Sequence, residues 1–362
     1  MQESPLASLA FYSATPTIQI NGASDDKVTS LLLAMEMRES EGGMSALELR
    51  FTNYLSLSSG GGDFAFEDGS LLKLGAAVQV YAGDVTSPTE IFRGKITALE
   101  GRFLRDGAPE LVVLAEDLLQ AARMSRRTKN WENATLAAIV GQVAGNIGLT
   151  PVTNGLDANI GTQLQFNESD LQFLRRLLCR YDADLQVVGS ELHAAPRSQA
   201  QRNDVTIDLG SQLREVRVIA DLANQVTQIT TTGWDYSQGQ AISATSQTTS
   251  LGPGSGTTGA AWMQQALATR SDQLAQFATL NTDEAQSLVD AEFAERTRTF
   301  VVARGVSQGN PNLRVGTFLT LNGLGPRFSN SYYTTATTHK FDPAAGYETQ
   351  FTAECAYLGS GS

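Results

Sequence analysis

The residues able to do chemistry are few and scattered along the 362-residue chain. It holds two histidines, His193 and His339, and two cysteines, Cys179 and Cys355. Neither histidine has Cys, Asp or Glu at ligand spacing and there is no HExxH, so no metal site is expected. Two cysteines exclude a disulfide framework and a cysteine-based metal site. Cys179, on a predicted helix, and Cys355, in a predicted strand, read as buried small hydrophobes. No G-x-S-x-G elbow follows a strand, so nucleophilic catalysis has no positive support. Gly254–Gly259, GSGTTG, matches GxGxxG literally. No buried strand precedes it and no βαβ unit surrounds it, and the fingerprint needs both to bring a helix N-terminus onto a pyrophosphate. Asp25-Asp26, Asp182/Asp184 and Asp283-Glu284 read as turns or helix starts rather than acid/base dyads. Phe328, Tyr332 and Tyr333 read as barrel filling. No catalytic, cofactor-binding or metal-ligating set emerges.

The remaining candidates are arginines. DLLQAARMSRRTKNW carries Arg123, Arg126, Arg127 and Lys129, a solvated loop or a docking patch for an acidic neighbour. In QLQFNESDLQFLRRLLCRYDADLQV, Arg175, Arg176 and Arg180 lie off the apolar stripe of a helix or at its C-terminal end, where cations suit the dipole. Arg123, Arg126, Arg127, Arg175, Arg176 and Arg180 are the expected subunit contacts. The chain as a whole carries a formal charge of −12, which argues against nucleic acid or an anionic membrane as a standing partner.

The elements that must position these groups are mainly β. Strands are expected over 11–20, 28–38, 46–53, 78–83, 89–99 and 111–116, with Gly42-Gly43 as a hairpin turn and SLSSGGGDFAFEDG as a loop. These suggest a closed or nearly closed barrel of short antiparallel strands. Asn133 or Thr135 caps a helix that Gly148 stops. Gln163–Asn167 alternates with period two. Asn167 or Ser169 then caps a helix whose Leu171, Leu174, Leu178 and Tyr181 share a face with Phe173 and Leu177. Strands at 205–207, 213–218, 223–233, 299–307, 318–321, 332–340 and 346–357 suggest a second barrel. It is interrupted by a mobile Ser/Thr/Gly run at 243–258 and by alanine-rich helix from 260 to about 296, broken near Asn281–Asp283. Four units follow: 1–117, a first tube-like β-barrel; 118–198, a small α+β domain; 199–239 with 298–362, a second barrel; and 240–297, a flexible loop and helical excursion. VQVYAG…TEIFRGKITALEG has an echo in LRVGTFLTLNG…NSYYTTATTHKFD, which hints at internal duplication. The N-terminal MQESPLASLA has no basic region or long apolar run, so no signal peptide is expected. No stretch approaches 18 apolar residues, so no transmembrane helix is expected.

Four segments in order resemble a known family. FNESDLQFLRRLLCRYDADLQV is similar to the "NESD-x-x-FL-x-RL" element of the phage late control gene D tail proteins, and of the hub half of type VI secretion valine-glycine repeat spike proteins. IFRGKITALEG resembles the family's "F-x-G-x-I" strand pair. LVVLAEDLLQAARMSRRTKNWENATLAAIVGQVAGNIGL resembles its strand, Asp-Leu turn, basic stretch and first helix. GNPNLRVGTFLTLNGLGPRFSNSYYTTATTHKF resembles its closing "G-x-P-x-L-x-x-G" and "G-x-Y-x-x-x-x-x-H" elements, where His339 is the family's frequent histidine. The resemblance covers residues 10–358.

It implies a baseplate hub of a contractile tail or injection system, not an enzyme. Such a hub is a homotrimer whose two barrels per chain make a pseudo-sixfold ring between a sixfold inner tube protein and a threefold central spike protein. Other baseplate proteins would be partners, with no cofactor and no membrane. DNA or effector cargo would pass only in transit, and an acidic channel wall would not hold it. Assembly in a bacterial cytoplasm and residence in a virion or injection particle follow. The chain departs from spike members in showing no β-helix repeats. The rival readings are a tail-associated cell-wall-degrading enzyme, which needs a positioned carboxylate or Cys/His pair, and a receptor-binding β protein with aromatic clusters on its loops.

Overall fold

The computed structural model describes residues 12–56, 62–84, 86–275 and 281–359. The N-terminal decapeptide, residues 57–61 of the Ser/Gly loop, 276–280 of the helical excursion and 360–362 lie outside the described residues.

The first part of the chain runs β1 (Tyr12–Ile20), β2 (Ala23–Ser24), α1 (Asp26–Ser30), β3 (Leu32–Ser40), β4 (Ala46–Thr52), β5 (Leu55–Ser56), β6 (Gly62–Asp63), β7 (Ala77–Asp84), β8 (Pro88–Arg102) and β9 (Glu110–Asp117). Period-two alternation decides which side faces in. On β4, Leu47, Leu49 and Phe51 are buried while Glu48 and Arg50 are not; on β7, Val78, Val80 and Ala82 are buried.

A separate α+β unit follows: β10 (Arg126–Trp131), α2 (Leu136–Asn146), β11 (Thr150–Thr153), β12 (Gln163–Ser169), α3 (Asp170–Arg180), β13 (Ala183–Val188) and β14 (Glu191–Pro196). Thr135 caps α2 by accepting from Ala138 N at 3.0 Å, and Ser169 caps α3 by accepting from Gln172 N at 3.2 Å. Asn167 instead takes a left-handed φ of 49° at the turn into α3. The apolar stripe of α3 is buried with α2 in one core, where Phe173 stacks on Trp131.

The chain continues through β15 (Asp204–Asp208) and β16 (Leu213–Ala220). It then leaves as β17 (Gln228–Asp235), β18 (Gln240–Ser246), β19 (Thr257–Thr258), α4 (Gly259–Ala266), β20 (Ser271–Gln273) and α5 (Thr282–Arg298). It returns as β21 (Val301–Gln308), β22 (Phe318–Asn322), α6 (Gly325–Phe328), β23 (Asn330–Asp342), β24 (Gly346–Cys355) and β25 (Tyr357–Leu358). Two expectations change here. The 223–233 strand does not complete the second barrel: β17 pairs with β18 and β20, and packs Ile229 against Val289 and Phe293 of α5. The start of the Ser/Thr/Gly run is ordered in β18, with Ile242, Ala244 and Ser246 buried in alternation. Ala and Ser can occupy the inward phase of a strand, and low complexity hid that period.

The two expected barrels are not closed. Among the described residues thirteen strands, including β2, share one sheet. Its first half has the order β1-β7-β8-β9-β4-β3 and its second the order β15-β22-β23-β24-β21-β16. Taken in chain order within each half, these are the same arrangement of six strands. The duplication suspected from the echo is therefore visible in topology, with one difference: β1 meets β7 antiparallel and β15 meets β22 parallel. The first half does not close on itself because the outer edge of β3 pairs with β23, from Met35–Phe341 to Ser40–Ala336. The β23–β24 hairpin serves both cores. Phe341 and Tyr347 near its turn pack in the first, while Tyr332, Phe351, Ala353 and Cys355 pack in the second. No helix among the described residues is long and apolar enough to cross a membrane.

Candidate functional site: the junction and its arginines

The point where β3, β23 and the α+β unit meet is built from charges. Glu39 falls on the inward phase of β3 after Met35 and Met37. Its carboxylate accepts from Arg314 Nε at 2.7 Å and Nη2 at 2.5 Å, from Val315 N at 2.8 Å and from Thr337 Oγ1 at 2.9 Å. Burial alone would raise its pKa. The Arg314 and Arg202 guanidiniums overcome that and hold it at about 2. Beside it, His339 is fully buried. Burial and the Arg314 charge push its pKa down to about 3, so the ring is neutral. Its Nδ1 shares a 2.7 Å hydrogen bond with the Tyr347 hydroxyl.

A second group sits on the other side of the junction. Arg197, from the end of the α+β unit, contacts Glu41 and reaches Glu354 at 3.1 Å, over the Tyr333 ring. Arg298 binds Asp182 at 2.5 Å. Carboxylates here outnumber guanidiniums. Burial, aided by Asp184, Glu354 and Asp182 and opposed by Arg197, raises Glu41 to about 8. A proton held by the folded state to about pH 8 and lost by the unfolded chain near its ordinary carboxylate pKa means that stability falls as pH rises through that window. Glu41→Gln is expected to flatten the decline in urea midpoint between pH 5 and 8; a decline as steep as in the parent chain would show that another group sets it.

The six arginines singled out by sequence are mostly engaged within the chain. Arg175 donates to the carbonyls of Gly42 and Gly43 at 2.8 Å each, tying α3 to the β3–β4 turn. Arg180 binds Glu284 of α5 at 2.7 Å. Arg176 grips Glu168 at 2.9 Å, Arg127 meets Asp170 at 3.0 Å, and Arg123 pairs with Glu116. Among the described residues the Arg126 side chain makes only a long 3.5 Å bond to the Asn167 carbonyl, and it is exposed. The strand before α3 is inverted relative to simple patterning. Gln163 and Gln165 are buried, while Leu164 and Phe166 face out at 50% and 70% exposure. The amides have internal partners: Gln165 Nε2 donates to Asp170 at 2.9 Å and Gln163 Nε2 to the Ile160 carbonyl at 2.7 Å.

The other sequence candidates resolve into local roles. Asp25 caps α1, and Asn281 caps α5 ahead of Asp283 and Glu284. The glycines of GSGTTG lie against the chain itself: a Cβ at Gly254 would strike Cys355, at Gly256 the Leu358 carbonyl, and at Gly259 the Gln225 side chain. That close packing, rather than a phosphate, accounts for them. Cys355 is buried as expected, but Cys179 is exposed, because it lies off the stripe that α3 buries. No group of three or more His, Cys, Asp or Glu among the described residues could hold a metal. The junction residues Glu39 and Arg314 were missed by sequence reasoning. The available signal was a glutamate on the apolar phase of Met35-x-Met37-x-Glu39.

The fold is similar to that of several solved tail proteins. The 43 kDa tail protein of prophage MuSo2 from Shewanella oneidensis is similar over 94% of this chain and 97% of that chain, with a TM-score of 0.68 at 13% identity. A tail protein from Neisseria meningitidis is similar over 94% and 96%, with a TM-score of 0.65 at 9% identity. An E. coli component of the type VI secretion system is similar over 95% and 79%, with a TM-score of 0.58 at 13% identity. The resemblance drawn from four sequence segments thus extends to the three-dimensional fold. The chain belongs to the Alg8 N-terminal domain family, whose model matches residues 53–342. No curated protein matches its sequence.

Proposed function

We propose that the chain is a non-enzymatic hub of a contractile tail or injection apparatus, a trimeric ring that adapts a sixfold inner tube to a threefold central spike. The observation that carries this is the repeated order of six strands in the two half-sheets, within a fold shared along nearly its whole length with tail proteins. Two nearly equivalent halves per chain give six nearly equivalent surfaces per trimer, which is what a threefold object needs to meet a sixfold one. The halves would be curled tube domains, 1–117 and 199–222 with 298–362. The α+β unit 118–198 and the excursion 223–297 would sit on them. Inner tube, spike and other baseplate proteins would be the partners, with DNA or effector only passing through. Assembly in the bacterial cytoplasm and residence in a virion or injection particle go with this role. Of the six arginines, Arg126 is the one left for a neighbour. Light scattering and electron microscopy of the purified chain, alone and with tube and spike proteins, test the proposal. A threefold ring with six similar lobes is expected; a monomer under all these conditions would overturn it.

A further inference from the structure

Two ladder irregularities of the first half-sheet recur in the second and align the two. The β3–β4 ladder shifts register between Leu32 and Ala34, and the β16–β21 ladder between Leu213 and Glu215. The β8–β9 ladder shifts between Ile96 and Ala98, and the β23–β24 ladder between Thr334 and Ala336. Bulges are built features that pin register. They equate Ala34 with Glu215 and Ala98 with Ala336. On that scale β16 is the counterpart of β3, and the outer part of β8 is the counterpart of the outer part of β23.

Within the chain, β3 and β23 are joined edge to edge. Their counterparts are not. Among the described residues β16 ends the sheet, with β21 as its one ladder partner. β7 leaves β8 after Lys95, so, among the described residues, 97–102 keep β9 on one side and an open edge on the other. Open strand edges of this kind are templates for pairing. The side chains point the same way. Phe341, beside the turn of β23–β24, is 5% exposed in the first core. Its counterpart Phe103, beyond the end of β8, is 71% exposed, with Leu104 and Leu99 also exposed nearby. Ile219 on β16 is exposed too, and Arg217 beside it has no ion pair among the described residues.

We infer that β16 of one copy pairs antiparallel with the outer part of β8 of a second copy, repeating between chains the β3–β23 junction made within each. The predicted register follows from Met35–Phe341 and Arg38–Thr338: Val216 opposite Phe103 of the neighbour, and Ile219 opposite Glu100. Phe103 would then be buried by the neighbour's second half as Phe341 is by the first. Arg217 would face the neighbour's Arg102, and Glu100, which already binds Arg102 at 2.8 Å, would lie on the diagonal where it can bridge the two guanidiniums. The contact is head to tail, so it closes into a ring or continues as a filament; the choice of three copies rests on the hub reading above.

Paired cysteines test the register. In a Cys179→Ser background, Glu100→Cys with Ile219→Cys is expected to give disulfide-linked oligomers on oxidation. Glu100→Cys with Glu215→Cys, out of register, is not, since a disulfide needs Cα atoms within about 7 Å. A bond between chains runs as a dimer or larger species on a non-reducing gel, whereas a bond within one chain runs as a monomer. Phe103→Asp, with an unchanged far-ultraviolet spectrum, is expected to weaken self-association at least about tenfold, as loss of a central aromatic anchor does. An oligomer by light scattering that shows no preference for the in-register pair and tolerates Phe103→Asp would overturn this ladder while leaving the hub reading standing. A monomer at every concentration would overturn both.

Discussion

Arg314→Leu is expected to lower folding stability by about 3–5 kcal/mol, the usual cost of stranding a buried charge, read as a fall in urea midpoint at unchanged slope. Arg314 is 5% exposed and supplies two of the bonds that hold the Glu39 carboxylate, which is itself buried. Without it, Glu39 must protonate or pull water into the junction. The double variant Glu39→Leu with Arg314→Leu is expected to recover part of the loss, because a buried pair costs desolvation that two apolar residues do not. Recovery would show that the penalty comes from the orphaned carboxylate. A double variant as weak as the single would place the loss in packing against Val315 and Thr337 instead. Glu39 also carries an acid limb. Its folded pKa lies below the ordinary carboxylate value, so the stability it supplies is present above about pH 4.5 and is lost as pH falls towards about 2.

Phe173→Ala is expected to cost about 3–5 kcal/mol as well, the range for removing a buried aromatic ring. Phe173 is fully buried in the core that α2 and α3 share, with its ring 5.8 Å from that of Trp131 and the Arg176 guanidinium 5.3 Å from its ring centre. The damage should be local first. That core draws its buried residues from 119–194, apart from those of the two half-sheets. With Trp234→Phe and Trp262→Phe leaving Trp131 as the one tryptophan, its fluorescence is therefore expected to report unfolding at lower urea than far-ultraviolet circular dichroism, which follows the large sheet. Coincident transitions would show that the α+β unit and the sheet unfold together.

Sequence carried the local structure well where one physical rule dominates. The stripe of α3, its Ser169 cap, the Gly148 stop of α2 and the strands of both half-sheets all follow from period and capping. It failed where partners distant in the chain decide. Nothing within residues 32–40 says that β3 will pair with a strand near residue 340 rather than close its own barrel. Gln165 faces inward because Trp131 and Asp170 are there to bond it, and period two alone cannot say which phase wins. The intrachain partners of the six arginines were not legible either, with Arg180 meeting one more than a hundred residues away. Open edges such as β16 are defined by the absence of a neighbour, and no local pattern encodes that.

The shared β23–β24 hairpin sets an order on synthesis. The first half-sheet lacks Phe341 and Tyr347 in its core, and an edge partner for β3, until residues 330–347 have left the ribosome. Its remaining strands must wait through most of the chain with an unpaired edge and an incomplete apolar interior. Pairing across some three hundred residues carries a high loop-closure cost and makes folding slow, and partly folded chains with open edges are the ones that aggregate. The hairpin acts as a late closing step for the whole molecule. A chain cut before residue 330 would lose the order of its beginning along with its end.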